Sequence, residues 1–482
     1  MAKYETRHFI DGQFVDRQSS KTFDVTNPCD GKVVATLPAA CEEDISFAVA
    51  AAARAQPAWA ALAASKRAGI LRKFSDLMAE NASKLAELDA ICMGKPISAH
   101  RGEVETACDI TNFFAGQVEQ AYGQTSLNAP HHLNISLRQP FGVVAAIVPW
   151  NFPTMIWCHE VPPACGAGNA IILKTSEKSP LSGLFLAQLA LDAGFPPGIV
   201  NVVSGAGPTG ELLSSHMTIR KISFTGSVRA GRAVMQAAAR SNLKSVCLEL
   251  GGKSPLIVFA DADLESAAEL ATTSITYNSG QVCTASSRVY VQKGAADSFK
   301  KLLVTRFKSL RLGSPNSKGT DLGPQADVSQ AKAVASYLDI GKRDGTVLTG
   351  GEKSQTGSNY IEPTIFAGVP DDSRINVEEV FGPVLVLHEF DTEEEVVARA
   401  NDTEYGLYAS VFSSNIDTAL RVARALEAGN VGVNCTSPFD SYELPFGGYK
   451  SSGIGRSKGS NAVLSWLEEK SVYIRQKPAP GK

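Results

Sequence analysis

Short apolar runs alternate with stretches of helical spacing along most of the chain. Helical spacing at residues 180–193 and 228–240 separates runs that are apolar at nearly every position. These runs lie at residues 143–148, 171–174, 199–203, 221–224 and 245–250. A strand that is apolar at consecutive positions is buried on both faces, which is typical of a parallel sheet between layers of helices. The pattern predicts an α/β domain here.

The second half of the chain repeats this pattern. Apolar runs at 254–259, 409–414 and 430–435 predict further strands. Helical spacing is found at residues 263–277, 297–309, 326–342 and 416–428. We therefore expect a second α/β domain, with the boundary near Gly251-Gly252.

The flanking segments have other patterns. Residues 9–15 predict a short hairpin with Asp11-Gly12 as a type I′ turn. Residues 132–139 alternate like an extended strand, and residues 471–476 form a strand-like piece outside both α/β patterns. Helices are predicted at residues 43–62, 66–93 and 101–120.

Composition excludes several classes of protein. The length of 482 residues suggests about three domains, and 44% hydrophobic residues with a net charge of -3 indicate a globular chain rather than a disordered one. Clusters of basic residues that would favour nucleic acid are absent from the sequence. No run of 18 apolar residues predicts a membrane span, and the first residues lack the apolar region of a secretory signal.

The cysteines and histidines point to a reduced protein without a metal. There are nine cysteines, an odd number, and no CxxC pair, which indicates reduced thiols and a cytoplasmic location. The pair His159-Glu160 is followed by residues 161–163 (VPP), so no HExxH motif results and we expect no metal site.

Two glycine-containing segments resemble nucleotide-binding motifs. Residues 205–210 match GxGxxG after an apolar strand, but residues 224–235 lack the acidic residue that an ordinary dinucleotide fingerprint places about 20 positions further on. This motif is either a simple strand-to-helix turn or an ordinary Rossmann fingerprint, and the missing acidic residue favours the turn. Residues 251–254 (GGKS) end like a P-loop, but its first glycine would fall at Cys247, which excludes that interpretation.

Three residues are candidates for chemistry. Cys283 lies among small and polar neighbours, as a nucleophile requires, although most single cysteines are buried and inert. Glu249 ends an apolar strand beside two glycines, where it is either a general base with a raised pKa or a paired structural charge. Asn151 follows the strand at 143–148, where it either caps a turn or meets a ligand at the carboxyl edge of the sheet.

Eight motifs in order resemble those of the NAD(P)-dependent aldehyde dehydrogenases, over essentially the whole chain. They are PWNFP (149–153), LKTSE (173–177), FTGS (224–227), LELGGKSP (248–255), GQVCTA (280–285), EEVFGPV (378–384), NDTEYGL (401–407) and PFGGYKSSGIGR (445–456). The resemblance implies an α/β, aldehyde-dehydrogenase-like fold of three parts. These are a Rossmann-like NAD-binding domain (1–120 and 141–251), an α/β catalytic domain (252–450) and a small β extension for oligomerisation (121–140 and 451–482).

The resemblance also implies a cofactor, NAD, with NADP as the alternative. Glu177 would hold the adenosine ribose beside Lys174, and the helix start at Gly226-Ser227 would meet the pyrophosphate. Glu379 and Phe381 would position the nicotinamide ribose and ring. The implied cofactor residues are Ile147, Val148, Pro149, Trp150, Asn151, Lys174, Ser176, Glu177, Gly207, Gly210, Phe224, Gly226, Ser227, Leu250, Glu379 and Phe381.

The implied chemistry is aldehyde oxidation to the acid. Cys283 would attack the aldehyde, the Asn151 amide and the Cys283 N–H would stabilise the oxyanion, and Glu249 would activate the water that hydrolyses the thioester. The implied partners are a small-molecule aldehyde and further copies of the chain, as a homotetramer or homodimer, with no nucleic acid and no membrane.

The substrate is less defined. Residues that would line the mouth of the site suit an aromatic or medium aliphatic aldehyde, and they are Phe152, Trp157, Val282, Thr284, Phe439, Tyr442 and Phe446. A semialdehyde enzyme should carry an Arg in residues 436–444, which instead contain Asp440 and Glu443. Glu249 argues against a CoA-acylating enzyme, and the intact Cys283, Glu249 and Asn151 argue against an inactive binding paralogue.

One position departs from the family pattern. Many relatives carry a Lys nine residues after the PWNFP asparagine, where this chain has Glu160. If Glu160 points inward, it and Glu249 would resist joint ionisation and titrate as a coupled pair. The alternatives are that Glu160 pairs with a cation or faces away from the site.

Overall fold

The computed structural model describes residues 4–16, 21–439 and 441–477. The strands of these ranges are β1 (His8–Ile10), β2 (Gln13–Val15), β3 (Thr22–Thr26), β4 (Val33–Pro38), β5 (Thr125–Ser126), β6 (His132–Pro140), β7 (Val143–Ile147), β8 (Ala170–Thr175), β9 (Val200–Ser204), β10 (Lys221–Thr225), β11 (Ser245–Glu249), β12 (Pro255–Val258), β13 (Arg288–Gln292), β14 (Thr346–Thr349), β15 (Thr364–Ala367), β16 (Val384–Phe390), β17 (Tyr408–Phe412), β18 (Asn430–Val433), β19 (Gly453–Ile454) and β20 (Leu467–Arg475).

The helices connect these strands and cover the sheets. They are α1 (Glu42–Ala60), α2 (Ala64–Glu80), α3 (Ala82–Met93), α4 (Ile97–Gln117), α5 (Pro153–Gly166), α6 (Leu181–Ala193), α7 (Gly207–Ser215), α8 (Val228–Arg240), α9 (Leu264–Thr276), α10 (Ala296–Ser309), α11 (Val328–Asp344), α12 (Arg374–Val377), α13 (Glu393–Asn401), α14 (Ile416–Ala425) and α15 (Asn461–Ser465). None of the described helices is long and apolar enough to cross a bilayer.

The first sheet has eight strands in the spatial order β19-β11-β10-β7-β8-β9-β1-β2. The five strands from β11 to β9 are parallel, whereas β19 and β1 pair antiparallel at the two sides of this parallel block. Every residue of β7, β8 and β9 is buried, which explains why their sequences are apolar without alternation. The carboxyl ends of such parallel strands form the edge where ligands bind.

The second sheet has seven strands in the order β14-β15-β16-β13-β12-β17-β18. Its strands are parallel except for β14, which pairs antiparallel with β15. The short connection Leu250–Ser254 joins β11 of the first sheet to β12 of the second. This connection therefore lies where the two sheets meet.

The third sheet contains β5, β6 and β20. Strands β6 and β20 pair antiparallel from His132 with Arg475 to Pro140 with Leu467. Most of β20 is exposed, including Tyr473 at 75%. A fourth, two-stranded sheet pairs β3 with β4.

Most predicted elements are present in the structure with slightly different ends. Asp11 and Gly12 have φ values of 55° and 76°, as the predicted type I′ hairpin turn requires. The predicted helix at 66–93 is wrong as a single element, because the chain leaves helical geometry at Asn81 and continues as α3.

The sequence pattern missed several central elements. Strand β13 begins with Arg288, whose charge interrupts the apolar pattern although the side chain is buried and donates to the carbonyls of Lys253 and Ala400. Strands β15 and β16, beside β13, were not predicted either. Helix α5 contains Pro162 and Pro163, which normally argue against a helix interior.

Candidate active site

Cys283 follows a tight turn that closes helix α9. Asn278, Ser279 and Gly280 all have positive φ values of 48°, 54° and 76°, a conformation that non-glycine residues rarely adopt. The Ser279 hydroxyl donates to the Gly323 carbonyl at 2.8 Å, and Gln325 Nε2 donates to the Ser279 carbonyl at 3.0 Å. These bonds hold the turn, and it presents Cys283 half-buried at a cavity wall.

Glu249 is the last residue of β11 and is 7% exposed. The two glycines that follow it allow close approaches. A Cβ on Gly251 would lie 2.2 Å from Glu379 Oε2, and one on Gly252 would lie 2.3 Å from the Cys283 carbonyl oxygen. Glycine at both positions therefore lets Glu379 and the Cys283 loop pack directly against this connection.

Asn151 lies in the loop between β7 and α5 and is 4% exposed. Its side-chain Nδ2 donates to the Gln281 carbonyl at 3.0 Å, two residues before Cys283. Its carbonyl oxygen accepts from Lys95 Nζ at 3.2 Å and from Asn278 Nδ2 at 3.1 Å. The backbone of Asn151 is thus fixed to the turn that carries Cys283.

Two adjoining cavities meet at these residues, and a groove continues from one of them. A catalytic cavity of about 300 Å³ is lined by Cys283, Glu249 and Glu160. A second cavity of about 260 Å³ is lined by Cys283, Asn151 and Glu379 and shares Cys283 with the first. A groove of about 830 Å³ continues from the second cavity, and the two share Pro149 and Trp150. Together they can hold an extended ligand that ends beside Cys283.

The structure places all sixteen sequence-predicted cofactor residues along this path. Those in the large groove are Ile147, Val148, Pro149, Trp150, Lys174, Ser176, Glu177, Gly207, Gly210, Phe224, Gly226 and Ser227. Asn151, Leu250, Glu379 and Phe381 line the second cavity, beside Cys283. Sequence reasoning missed the outer wall of the groove, which helix α8 supplies through Arg229 and Arg240 among others.

Burial shifts the pKa of both the nucleophile candidate and the base candidate upward. Burial raises the pKa of the Cys283 thiol to about 12, and the charges of Glu379 and Glu249 add to this effect. Burial also raises the pKa of Glu249 well above its ordinary value, and the Glu160 charge raises it further. Arg456, Lys458 and the Ser457 hydroxyl oppose that shift. Among the described residues, none donates a hydrogen bond of normal length to either Glu249 oxygen.

Glu160 points inward and lines the catalytic cavity with Glu249. It accepts a hydrogen bond of 2.9 Å from the Ser223 hydroxyl. Burial raises the pKa of Glu160 to about 7, although Ser223 and the Lys221 charge lower it. The alternative in which Glu160 faces away from the site is therefore wrong, and its role in proton transfer stays a prediction.

The wall of the catalytic cavity differs in part from the predicted one. Phe152, Val282, Thr284, Phe439 and Phe446 line it as expected. Trp157 and Tyr442 are not in this wall. Trp157 lies on another face of α5 and is fully buried, with its ring centre 5.3 Å from that of Phe74. Tyr442 packs on Phe113, with the ring centres 5.5 Å apart.

Sequence reasoning missed several polar residues in this wall, among them Glu103, His159, Ser457 and Lys458. Lys458 is 2% exposed, and its ammonium lies 4.8 Å from the centre of the Phe446 ring. Burial and the Lys458 charge lower the pKa of His159 well below its ordinary value. Lys458 lies just beyond the last recognisable motif, so no pattern marked it. In the described part of the chain, no three His, Cys, Asp or Glu side chains are grouped to hold a metal ion.

Comparisons with known proteins agree with this geometry. A sequence model of the aldehyde dehydrogenase family matches residues 14–472. Aldehyde dehydrogenase 1 of Tanacetum cinerariifolium is 44% identical over 472 residues, which cover 97% of this chain and 94% of that protein.

Two solved structures are similarly close. The indole-3-acetaldehyde dehydrogenase AldA of P. syringae, in complex with NAD+ and IAA, is 40% identical with a TM-score of 0.96, covering 98% of this chain and 97% of that one. The gamma-glutamyl-gamma-aminobutyraldehyde dehydrogenase of Burkholderia cenocepacia is 43% identical with a TM-score of 0.96 and the same coverages of 98% and 97%. Sequence and fold thus agree over nearly the whole length, and the chain belongs to the aldehyde dehydrogenase family.

Proposed function

We propose that this protein oxidises an aldehyde to the carboxylic acid with NAD, through a thioester on Cys283. The observation that carries the proposal is the meeting of Cys283 and Glu249 in one cavity that opens into the coenzyme groove. A thiol and a carboxylate are both needed, because the oxidation proceeds through a covalent stage and a hydrolytic stage.

In the first stage, Cys283 Sγ forms a bond to the aldehyde carbon. The thiol has a pKa of about 12 and is protonated at neutral pH, so a base must take its proton. Glu249 in the same cavity serves as that base. The Asn151 amide has two N–H groups, one of which bonds to Gln281, and the other together with the Cys283 N–H stabilises the oxyanion.

In the second stage, the thioester is hydrolysed. NAD, when bound, supplies the hydride acceptor for the thiohemiacetal carbon. The proton taken from Cys283 passes to solvent, and Glu249 then accepts a proton from the water that attacks the thioester carbon and returns it to the Cys283 sulfur. The C–S bond breaks, the acid leaves, and the Cys283 thiol is restored.

The groove fits a dinucleotide. Its volume is about 830 Å³, and it includes the N-terminus of the 13-residue helix α8, where free backbone N–H groups favour a pyrophosphate. Glu177 accepts hydrogen bonds from ribose hydroxyls but repels a 2′-phosphate, so NAD is preferred to NADP. Lys174, Arg229 and Arg240 also line the groove and weaken this preference.

The substrate class follows from the cavity wall. Phe152 and Tyr277 lie with their ring centres 6.2 Å apart and nearly parallel, and both line the catalytic cavity with Phe439 and Phe446. These rings favour an aromatic or medium aliphatic aldehyde. The two solved relatives are named for an indole aldehyde and for an aminobutyraldehyde derivative, so the family by itself does not set the substrate.

One observation favours a second substrate class, a semialdehyde. Lys458 lines the cavity and would attract a substrate carboxylate. Residues 436–444 contain no Arg, but Lys458 lies outside this loop and supplies a cation to the cavity. Of the two acidic residues in that loop, Glu443 is exposed, and Asp440 lies outside the described residues.

We also propose a cytoplasmic homo-oligomer, either a dimer or a tetramer. The exposed β20 strand supports assembly through the third sheet. All nine cysteines are unpaired, which supports a reducing compartment. The proposed domains are 1–120 with 141–251, 252–450, and 121–140 with 451–482. The three large sheets support this division, although β19 pairs with the first sheet.

NADH absorbance after mixing the protein with NAD and an aldehyde panel tests the activity. The panel contains an aromatic, a medium aliphatic and a carboxylate-bearing aldehyde, and mass spectrometry identifies the product. We expect one acid per NADH and the highest kcat/KM for the aromatic or aliphatic aldehyde. No NADH with any aldehyde would indicate an inactive paralogue, and an acyl-CoA product in the presence of CoA would overturn the hydrolytic stage.

A further inference from the structure

A cluster of four buried titratable side chains lies beside the loop that carries Asn151, and the proposed mechanism does not use it. The members are Asp89, Lys95, His100 and Glu103, and none is more than 5% exposed. Lys95 Nζ donates to Glu103 Oε1, and His100 Nδ1 lies 3.4 Å from Glu103 Oε2 and 3.9 Å from Asp89 Oδ2. So many charges away from water call for an explanation.

The cluster contacts the Asn151 loop at three neighbouring residues. Lys95 Nζ donates to the Asn151 carbonyl at 3.2 Å and lies 4.1 Å from the centre of the Phe152 ring. Asp89 Oδ2 accepts from the Thr154 N–H at 3.4 Å, in the first turn of helix α5. Lys95 therefore fixes the peptide between Asn151 and Phe152, and Asp89 fixes the peptide between Pro153 and Thr154.

The same cluster contacts the turn that carries Cys283. The Tyr277 hydroxyl donates to Glu103 Oε1 at 2.9 Å, and Asn278 Nδ2 shares the Asn151 carbonyl with Lys95. The oxyanion side chain and the nucleophile turn are thus held by one group of polar contacts. Stability gives no reason for this arrangement, because replacing a buried ion pair by apolar residues is often neutral or stabilising.

We propose that Lys95 is a positioning residue that directs the Asn151 side-chain amide toward the oxyanion formed at Cys283. The inference rests on the proposed function, since it requires Asn151 to be the oxyanion donor. Lys95 acts through the Asn151 carbonyl and does not touch the substrate. A small displacement of a catalytic group costs up to about 100-fold in rate, so a hydrogen bond to the loop backbone has a measurable effect.

Single-turnover NADH formation in Lys95→Met, Asn151→Ala and the double variant tests the proposal. We expect Asn151→Ala to slow hydride transfer by about 100- to 1,000-fold and Lys95→Met to slow it by about 10- to 100-fold. In the Asn151→Ala background, Lys95→Met should slow hydride transfer by less than a further factor of about two. The reason is that Lys95 acts through the Asn151 amide, which this background lacks. The Kd for NAD should stay within about twofold of the parent value in Lys95→Met.

Two further variants separate positioning from folding. Lys244 is also a buried lysine that donates to a backbone carbonyl, that of Ser214, and Lys244→Met should combine with Asn151→Ala additively. Lys95→Met leaves Glu103 without its cation, so Lys95→Met/Glu103→Gln removes the pair together and provides a folded protein if the single variant does not fold. This double variant should show the same coupling to Asn151→Ala.

The outcomes distinguish the two proposals. Equal slowing by Lys95→Met in the parent and Asn151→Ala backgrounds would overturn the role of Lys95 alone, as would rates within about twofold of the parent in both Lys95 variants. A parent-like rate in Asn151→Ala would overturn the oxyanion role, and this inference with it.

Discussion

Glu103 and Glu249 line the same catalytic cavity and are nearly equally buried, at 5% and 7% exposure, but their pKa values are shifted in opposite directions. Burial alone would raise the pKa of both carboxyls. At Glu103 the Lys95 ammonium, His100 and their hydrogen bonds reverse this effect and lower the pKa to about 2. At Glu249 the charges of Arg456 and Lys458 and the Ser457 hydroxyl oppose the shift without reversing it, and the pKa is raised well above the ordinary value.

The difference shows that partners rather than burial decide what a buried carboxyl can do. Glu103 is a permanent anion that is bonded to Lys95 and Tyr277, so it can fix structure but does not exchange protons near neutral pH. The pKa of Glu249 is raised instead, which makes its carboxylate a stronger base. Glu160 has one hydrogen bond, from Ser223, and burial raises its pKa to about 7.

The largest expected loss of activity comes from removing the Cys283 thiol. Cys283→Ala should lower NAD-dependent aldehyde oxidation by about 10⁴-fold or more, because no covalent stage remains. NAD binding, measured by calorimetry, should persist. Cys435→Ala is the control, because Cys435 lines neither the catalytic cavity nor the second cavity. Turnover of Cys283→Ala within tenfold of the parent would contradict the assignment.

Replacing each carboxylate of the comparison by its amide should give opposite results. Glu249→Gln should lower steady-state turnover by about 10²- to 10⁴-fold with little change in stability, because burial raises the pKa of Glu249 and favours its neutral form. Glu103→Gln should lower the free energy of unfolding by about 3–5 kcal/mol, because Lys95 loses its buried partner. Steady-state NADH formation and urea unfolding of both variants measure the contrast.

The NADH burst of Glu249→Gln refines this result. A surviving stoichiometric burst means that Glu249 acts only in hydrolysis, and a lost burst means that it also takes the Cys283 proton. Equal destabilisation of the two variants would contradict the contrast between Glu103 and Glu249, and unchanged steady-state turnover would remove Glu249 as the base.

A smaller effect should appear in the pH dependence of kcat. The base must be ionised, so activity rises with pH through the pKa of Glu249. Glu160 ionises near pH 7, and its charge raises the pKa of Glu249. Glu160→Gln removes that charge, so the acidic limb should move to lower pH.

Ser223→Ala provides the matched comparison. Losing the Ser223 hydroxyl raises the pKa of Glu160 and keeps it neutral to higher pH, which should move the acidic limb in the same direction but less far. Acidic limbs that superimpose for the parent and Glu160→Gln would remove Glu160 from the proton network.

The smallest effect concerns a carboxylate at the protein surface. Glu177 is partly exposed in the coenzyme groove, so solvent weakens its repulsion of a 2′-phosphate. Glu177→Gln should lower the ratio of kcat/KM for NAD to that for NADP by about tenfold, or 1.4 kcal/mol. A parent enzyme with the higher kcat/KM for NADP would contradict the proposed preference.

The sequence by itself determined the features that depend on local pattern. Uninterrupted apolar runs such as 143–148 and 171–174 predicted the buried parallel strands, because only strands covered on both faces need no polar positions. Short motifs marked Cys283, Glu249 and Asn151, and the structure brings these residues to adjoining cavities. The glycine pair Gly251-Gly252 is needed because Glu379 and the Cys283 backbone pack against it, and the sequence does not show these contacts.

Only the tertiary structure decided which of these groups carry charge and what holds them. Lys95 reaches Asn151 across 56 positions, and Tyr277 reaches Glu103 across 174. Lys458 and Glu160 enter the same cavity from distant segments. The pKa of a buried group depends on desolvation and on charges nearby in space, and neither quantity can be obtained from the order of residues along the chain.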